Sequence, residues 1–106
     1  MTLPIRTEEE RAEALAAALH SRQERARLRA ALKSRELTGA DVIAGADGNA
    51  VWAGVRVSWL LESLPGIGAV RAERIMADLR IAPSRRIQGL GERQRAALLD
   101  QLEARA

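Results

Sequence analysis

A chain of 106 residues has room for one domain with one modest core, and its 47% of apolar residues exclude a disordered protein. The absence of cysteine excludes a disulfide scaffold and a thiolate metal site, and one histidine cannot form a metal cluster. The net charge is only +3, but the 17 basic residues are concentrated in two segments, 20–35 and 71–95.

Sixteen of the 17 basic residues are arginine, whose planar guanidinium group suits phosphate contacts. A GC-rich genome would raise the arginine count, but it would not explain the clustering. No apolar run approaches the length of about 20 residues that a membrane span needs, and the N-terminus lacks a signal-peptide pattern. We therefore expect a cytoplasmic protein without a membrane partner, a metal or another cofactor.

The first predicted element is a long helix from about Glu8 to about Ser34. Thr7 begins a capping box, and acidic residues lie at the start of the helix and basic ones towards its end, as the helix dipole prefers. Its leucines lie on two different faces: Leu15 and Leu19 on one, Leu28 and Leu32 on the other. The first half therefore either meets the core differently or projects as an arm.

The middle of the chain predicts short elements. We expect a linker over 37–41, whose last residue, Asp41, caps a short helix that ends at about Gly45. A turn over 46–49 follows. Further along the chain we expect a helix over Trp59–Leu64, capped by Ser58. Residues 50–57 combine β-branched residues with a tryptophan, so a strand stays open, although we favour a short helix. The two aromatic residues, Trp52 and Trp59, are assigned to the core.

The last third of the chain predicts two helices joined by a loop. An amphipathic helix over Ala69–Arg80 has two faces: Ala72, Ile75, Met76 and Leu79 inward, and Arg71, Arg74 and Asp78 outward. We expect Pro83 to end this helix, and Ile87 and Leu90 to hold the following loop on the core. A final helix over Glu92–Ala104 turns three leucines inward: Leu98, Leu99 and Leu102.

Two glycines, Gly66 and Gly68, lie between two predicted helices. Glycine permits positive φ and leaves room for a ligand, and the amides of residues 68–70 would point outward at a helix N-terminus, which attracts anions. Arg71 lies in the first turn of that helix, where the dipole disfavours a cation unless an anion is bound. The pattern indicates a phosphate site; an ordinary helix–helix turn that needs glycine only for its geometry is the alternative.

Four arginines within eleven residues surround the start of the last helix: Arg85, Arg86, Arg93 and Arg95. The helix dipole makes this position unfavourable for cations, so the cluster also indicates an anionic partner. A solvated run of charge is the alternative. Because Arg95 falls close to the buried face of the helix, we expect it to pair within the protein.

A third basic group lies on the long predicted helix, about Glu8 to about Ser34, which we number α1, and we call this group the α1 stripe. Spacings of three, four and four residues place its members on one side: Arg22, Arg25, Arg29 and Lys33. Such a stripe could follow a phosphate backbone, but taken alone it favours a solvated face.

Three strings resemble the actinobacterial, mycobacterial-type integration host factor family. They are Val57-Ser58-x-Leu60-Leu61-Glu62-x-Leu64-Pro65, Ile81-Ala82-Pro83-Ser84-Arg85-Arg86 and Gly89-Leu90-Gly91-Glu92-Arg93-Gln94-Arg95. The order of elements also agrees, and the likeness covers essentially the whole chain. It is strongest from Val57 onward, where the strings are too specific to be explained by chance.

The resemblance implies an all-α fold in a single domain, 1–106. A long N-terminal helix (1–36) is packed on, or projects from, a compact helical core (37–106) with a helix-two-turn-helix element, a lid at about Ala82–Gln94 and a C-terminal helix. The implied function is that of a non-enzymatic, nucleoid-associated protein. It would bind duplex DNA through phosphates with low sequence specificity, bend or compact it, support phage integration with integrase complexes, and be a monomer without DNA.

The resemblance places the DNA contacts at the turn and at the lid. The implied contact residues are Pro65, Gly66, Ile67, Gly68, Ala69, Val70, Arg71, Arg74, Pro83, Ser84, Arg85, Arg86, Gln88, Gly89, Gly91, Arg93 and Gln94, and the α1 stripe is a candidate second DNA surface. Where the family pattern has lysines at the turn, this chain has Gly66 and Ala69. Where the lid pattern has a further arginine, this chain has Gln88, so both regions carry less positive charge.

A structured-RNA or ribosome-associated protein is the alternative, because helix-turn modules of this kind also dock on RNA. The near absence of aromatic residues argues against single-strand binding. A base-excision glycosylase with a comparable helix-two-turn-helix is rejected, because the chain is too short for a catalytic domain and lacks cysteine and zinc ligands. A helical protein-interaction module stays open if DNA does not bind.

Overall fold

Helices form all the regular structure of residues 7–105, which are the residues described by the computed structural model of the chain. Six α-helices follow one another: α1 Glu8–Lys33, α2 Gly39–Gly45, α3 Ala50–Gly54, α4 Val57–Ser63, α5 Ala69–Asp78 and α6 Glu92–Arg105. Two 3-10 turns, Ala46–Gly48 and Ile87–Gly89, precede α3 and α6. The expected all-α fold with a long first helix is confirmed. Between residues 7 and 105, no helix combines the length and the apolar character needed to cross a bilayer.

Helix α1 has two halves that differ in burial. Thr7 caps it, because its Oγ1 accepts a hydrogen bond at 3.1 Å from the amide of the third helical residue. Only the second half enters the core, through Leu28 and Leu32. In the first half Leu15 is 69% exposed and Leu19 is 49% exposed, so this half projects as an arm.

The core is aliphatic, and its largest fully buried side chains come from four α-helices and the lid: Leu32, Ile43, Leu60, Leu61, Ile87 and Leu98. Burial of one such side chain contributes about 1.5–3 kcal/mol. The tryptophans were expected in this core, but Trp52 and Trp59 are half-buried and pack against its edge. Trp52 covers Gly45, where an added Cβ would lie 2.8 Å from the indole, so the helix needs glycine at this contact.

Two helix starts differ from the predicted ones. Helix α2 is capped by Thr38, whose Oγ1 accepts from the amide of Asp41 at 3.0 Å, while the Asp41 carboxylate accepts from the amide of Thr38 at 2.9 Å. Asp41 thus completes a capping box from inside the helix and is not the N-cap. Helix α4 begins at Val57, so Ser58 lies within it. The carbonyl of Arg85 in the lid accepts from the amide of Val57 at 2.9 Å and takes the place of a local cap.

Residues 50–57, for which the sequence leaves a short helix and a strand open, contain both a short helix and an extended stretch. Asn49 caps the short helix α3 by accepting two main-chain hydrogen bonds at 3.1 Å each. The chain is then extended, and the carbonyl of Val55 accepts from the amide of Ile87 at 3.0 Å. Arg56 and Arg86 form an isolated antiparallel bridge beside it. This pairing attaches the lid to the segment between α3 and α4, which we call the α3–α4 link.

Helix α5 ends at Asp78, two residues before the predicted end at Arg80, and a local motif ends it in place of the expected Pro83. Arg80 has a left-handed φ of +56°, and its amide donates to the carbonyl of Ala77 at 3.1 Å. The amide of Ile81 donates to the carbonyl of Met76 at 2.8 Å. These two bonds form a Schellman motif, which satisfies the last carbonyls of the helix.

Candidate nucleic-acid interface

The turn between α4 and α5 combines a left-handed glycine with a helix start that no side chain caps. Gly66 has a φ of +80°, which favours glycine, and Gly68 occupies the N-cap position of α5. Serine, threonine or aspartate commonly fills this position and bonds the first amides of the helix. An added Cβ at either glycine would meet nothing within 4 Å, so packing does not require glycine there. The free amides of this 10-residue helix are suited to an anion.

The predicted residues around this turn lie together. They line an open depression of about 520 Å³ formed by Gly68, Ala69, Val70, Arg71 and Arg74. Arg71 and Arg74 are exposed, and Val70 is 75% exposed. Nη1 of Arg71 lies 3.5 Å from the carbonyl oxygen of Gly66, at the limit of a hydrogen bond, so the guanidinium group is only weakly restrained. Ile67 differs from the others because it is buried, and it anchors the turn to the core.

The lid has a fixed shape, as the sequence predicts. Ile87 is 2% exposed, and Leu90 is half-buried against the core. Nη1 of Arg85 donates to the carbonyl of Gly89 at 3.0 Å, and Nη1 of Arg86 donates to the carbonyl of Gly54, the last residue of α3. A guanidinium group has five N–H donors, so both arginines keep most of their donors for a partner.

Most of the predicted lid residues face solvent. A shallow hollow of about 290 Å³ is lined by Ala82, Ser84, Arg85, Arg86, Gln88 and Gly89. Pro83, Gly91 and Arg93 are exposed outside this hollow. The lid therefore presents its polar groups on a rigid backbone, which lowers the entropy lost on binding.

Two side chains near the start of α6 are used within the protein. Oε1 of Gln94 accepts from the amide of Gly91 at 3.1 Å, and its Nε2 donates to the carbonyl of Arg80 at 2.8 Å. Gln94, implied as a DNA contact, thus joins the start of α6 to the end of α5. Nη2 of Arg95 donates to the carbonyl of Ile43 at 2.8 Å. The expected pairing of Arg95 within the protein is confirmed.

Half of the α1 stripe is attached to α4. Nε of Arg29 donates to Oγ of the buried Ser63 at 3.2 Å, and its guanidinium carbon lies 5.0 Å from the ring centroid of Trp59. Nζ of Lys33 donates to the carbonyl of Glu62 at 3.3 Å. The other two members, Arg22 and Arg25, are exposed, and their side chains make no hydrogen bond within residues 7–105.

Comparison with known proteins identifies the fold and the family. Residues 32–102 match the family model for the S13-like H2TH domain. The chain is 45% identical to the integration host factor of Mycolicibacterium smegmatis, over 97% of this chain and 98% of the relative. It is 46% identical to that of Mycobacterium tuberculosis (94% and 95%) and 47% identical to that of Streptomyces coelicolor (92% and 92%). The chain belongs to the actinobacterial integration host factor family.

A solved structure of this family supports the architecture. The structure of sIHF bound to an 8 bp palindromic DNA is 42% identical in sequence and superposes with a TM-score of 0.78. The match covers 82% of this chain and 98% of that one. The resemblance of the three sequence strings to the integration host factors is therefore confirmed at the level of sequence and of fold.

Among residues 7–105, few of the basic side chains are paired with acidic ones. The ion pairs among the described side chains are Arg27–Glu24 at 2.7 Å and Arg95–Asp47 at 3.5 Å. Within the same part of the chain, the other arginines of the turn, the lid and the α1 stripe have no carboxylate within 4.0 Å. Nor do the described residues include three acidic, histidine or cysteine side chains placed to hold a metal.

Sequence patterns do not single out Arg56. It lies between two buried valines and outside both basic segments of the sequence. The antiparallel bridge to Arg86 places it beside the lid. Its position depends on a contact between residues 30 positions apart, so no local pattern could have revealed it.

Proposed function

We propose that this protein binds duplex DNA through backbone phosphates with low sequence specificity, as an architectural protein of the nucleoid in the cytoplasm. The observation that carries the proposal is the uncapped start of α5, where free amides lie beside Arg71 and Arg74, which form no ion pair within residues 7–105. The helix dipole disfavours a cation at this end, and a bound phosphate would reverse the effect. The solved complex of sIHF with DNA supports nucleic acid as the source of that phosphate.

The proposed contacts are the turn and the lid. The contact residues are Pro65, Gly66, Gly68, Ala69, Val70, Arg71, Arg74, Pro83, Ser84, Arg85, Arg86, Gln88, Gly89, Gly91 and Arg93, and two more act by positioning others: Ile67 and Gln94. The turn presents main-chain amides and two arginines at the start of α5, a combination that suits phosphates better than base edges. Phosphates therefore supply the affinity, and the deformability of DNA supplies any sequence preference.

We further propose that the protein bends or compacts the DNA that it binds. It would also support phage integration as part of integrase complexes. The name shared by the relatives supports a role in integration. An architectural role is one of binding and shaping DNA, without a chemical step. The unpaired arginines on the turn, the lid and α1 could contact successive phosphates of a bent duplex.

The proposal is tested by fluorescence anisotropy on a duplex of about 20–30 base pairs, roughly two to three helical turns. Affinity should fall steeply with salt, because each phosphate contact releases counterions. A tRNA measured at the same salt concentrations is the comparison. Tighter binding of tRNA than of duplex would contradict the proposal and favour the structured-RNA alternative.

A further inference from the structure

A second basic hollow lies between the lid and α1. It has a volume of about 290 Å³ and is lined by Arg25, Gly54, Val55, Arg56, Trp59 and Arg86. Its three arginines come from three different parts of the fold: α1, the α3–α4 link and the lid. The hollow therefore exists only in the folded protein.

The hollow gathers positive charge that no acidic side chain of residues 7–105 neutralises. No carboxylate lines it, and none of its arginines belongs to an ion pair among the described side chains. Like charges gathered around one hollow repel each other and destabilise the free protein. An anion within reach of all three would replace this repulsion with attraction.

Two of the side chains that line the hollow, Arg86 and Trp59, are restrained by contacts within the protein. Arg86 is held by its hydrogen bond to the carbonyl of Gly54. Trp59, on one wall, carries Arg29 over its ring, and Arg29 is held in turn by Ser63. Side chains that are fixed in advance lose little conformational entropy when they bind a ligand. The hollow is therefore suited to a phosphate group of a nucleic-acid backbone.

Two of the basic surfaces meet at this hollow. Arg86 lines both the lid hollow and this one, and Arg25 belongs to the α1 stripe. We infer that Arg56, with Arg25 and Arg86, forms a phosphate subsite that joins the lid and the N-terminal part of the α1 stripe into one continuous surface for a single duplex. The inference deepens the proposed function and rests on it. It differs from the view of the α1 stripe as a separate surface for a second duplex.

The first test is a salt series on the duplex described above, at a stoichiometry of one to one. Arg56→Ala should lower the slope of log affinity against log salt by about 0.9, the value of one lost phosphate contact. Arg56→Lys keeps the charge and should retain most of the slope. Arg27→Ala is the matched control, because Arg27 is an exposed arginine of α1 that is already paired with Glu24.

The outcomes separate the two proposals. If wild type shows salt-dependent binding and Arg56→Ala behaves like Arg27→Ala, the subsite does not exist and the proposed function stands. If wild type does not bind duplex at all, the proposed function fails and the inference fails with it. Circular dichroism and thermal melting establish that each variant is folded. Arg56 is exposed and its bridge to Arg86 is made by the main chain, so we expect the alanine variant to fold.

Arg25→Ala decides between one surface and two. On a continuous surface it should weaken binding of the single duplex and lower the salt slope in the same way as Arg56→Ala. On a separate surface it would leave one-to-one binding unchanged and reduce only the bridging of two duplexes. The second result would overturn the inference.

A third measurement needs no DNA. Trp52→Phe leaves Trp59 as the only tryptophan, and Trp59 lines the hollow. Iodide, an anionic quencher, should be drawn to this indole, and adding Arg56→Ala should reduce quenching by iodide but not by neutral acrylamide. If quenching by iodide and by acrylamide changed in parallel, the substitution would have altered access to the Trp59 indole and not the electrostatic potential around it. That result would contradict an anion site.

Discussion

At Gly68 the stability of the fold and the proposed function favour different residues. Glycine at an N-cap leaves the first amides of α5 without a side-chain acceptor, at a cost to the helix of a few tenths of a kcal/mol compared with serine or aspartate. The same amides are the donors that a phosphate would use. Because an added Cβ meets open space there, packing does not explain the glycine. The proposed anion site does.

We expect Gly68→Asp to stabilise the protein and to weaken DNA binding. Its carboxylate would cap α5 and interact favourably with the helix dipole, which should raise the free energy of unfolding by about 0.3–1 kcal/mol. It would also fill the anion site with its own negative charge, so affinity for duplex should fall by tenfold or more, about 1.4 kcal/mol. Chemical denaturation and anisotropy measure the two effects. Gly68→Ser, a neutral cap, should lose much less affinity, and wild-type affinity in the aspartate variant would remove the turn from the interface.

The sequence predicts an element well where its boundaries depend on nearby residues. The start of α1 follows from a local cap at Thr7, and the buried face of α5 follows from helical spacing. The start of α4 does not follow from nearby residues, since its first amide donates to the carbonyl of Arg85 in the distant lid. The end of α5 was misplaced because Arg80 supplies the left-handed residue that glycine usually supplies.

The two halves of α1 should differ in their contribution to stability. Leu32 is fully buried, and Leu32→Ala should lower the free energy of unfolding by about 2–5 kcal/mol through lost contacts and a cavity. Leu15→Ala makes the same chemical change on the exposed arm, and it should alter the free energy of unfolding by no more than about 0.5 kcal/mol. Urea denaturation measures both. A large loss in the Leu15 variant would mean that the arm is packed in solution.

The end of α5 offers a stabilising substitution. A non-glycine residue in the left-handed region is strained by about 1 kcal/mol, and Arg80 is in that region with a φ of +56°. Arg80→Gly should therefore raise the free energy of unfolding by about 0.5–1 kcal/mol. Arg80→Ala removes the same charge without relieving the strain, so it should not stabilise. Equal stability of the two variants, measured by denaturation, would show that the backbone strain is not what matters at this position.

At the scale of the whole molecule, a net charge of +3 conceals a strongly uneven distribution. Three consecutive glutamates begin α1, whereas arginines with no ion pair among the described side chains lie on the turn, the lid and the second half of α1. Clustering in the sequence was sufficient to locate each basic group. It could not show that Arg29 and Lys33 bond to α4, or that Arg56 lines the same hollow as Arg25 and Arg86, because these arrangements depend on tertiary packing.

Whether the lid binds backbone or reads bases is decided by how affinity responds to salt and to sequence. Arg85 and Arg86 are adjacent, and each donates to a different carbonyl: Arg85 to Gly89 within the lid, and Arg86 to Gly54 at the end of α3. Two neighbouring guanidinium groups held by separate carbonyls suit two neighbouring phosphates better than the edge of one base pair. We therefore expect the double variant Arg85→Ala, Arg86→Ala to flatten the slope of log affinity against log salt by about 1.8. It should weaken binding to two unrelated duplexes alike.

The control for that measurement removes the same charge from elsewhere. Arg11 and Arg27 are exposed on α1, outside the turn, the lid and the α1 stripe, so Arg11→Ala with Arg27→Ala should leave the slope nearly unchanged. If the control flattened the slope as much as the lid variant, the affinity would reflect total charge and not a defined contact. If the lid variant lost affinity for only one of the two duplexes, with its slope intact, the lid would be a reader of bases. Since a phosphate contact responds to salt and is indifferent to sequence, the two measurements together distinguish all three modes of binding.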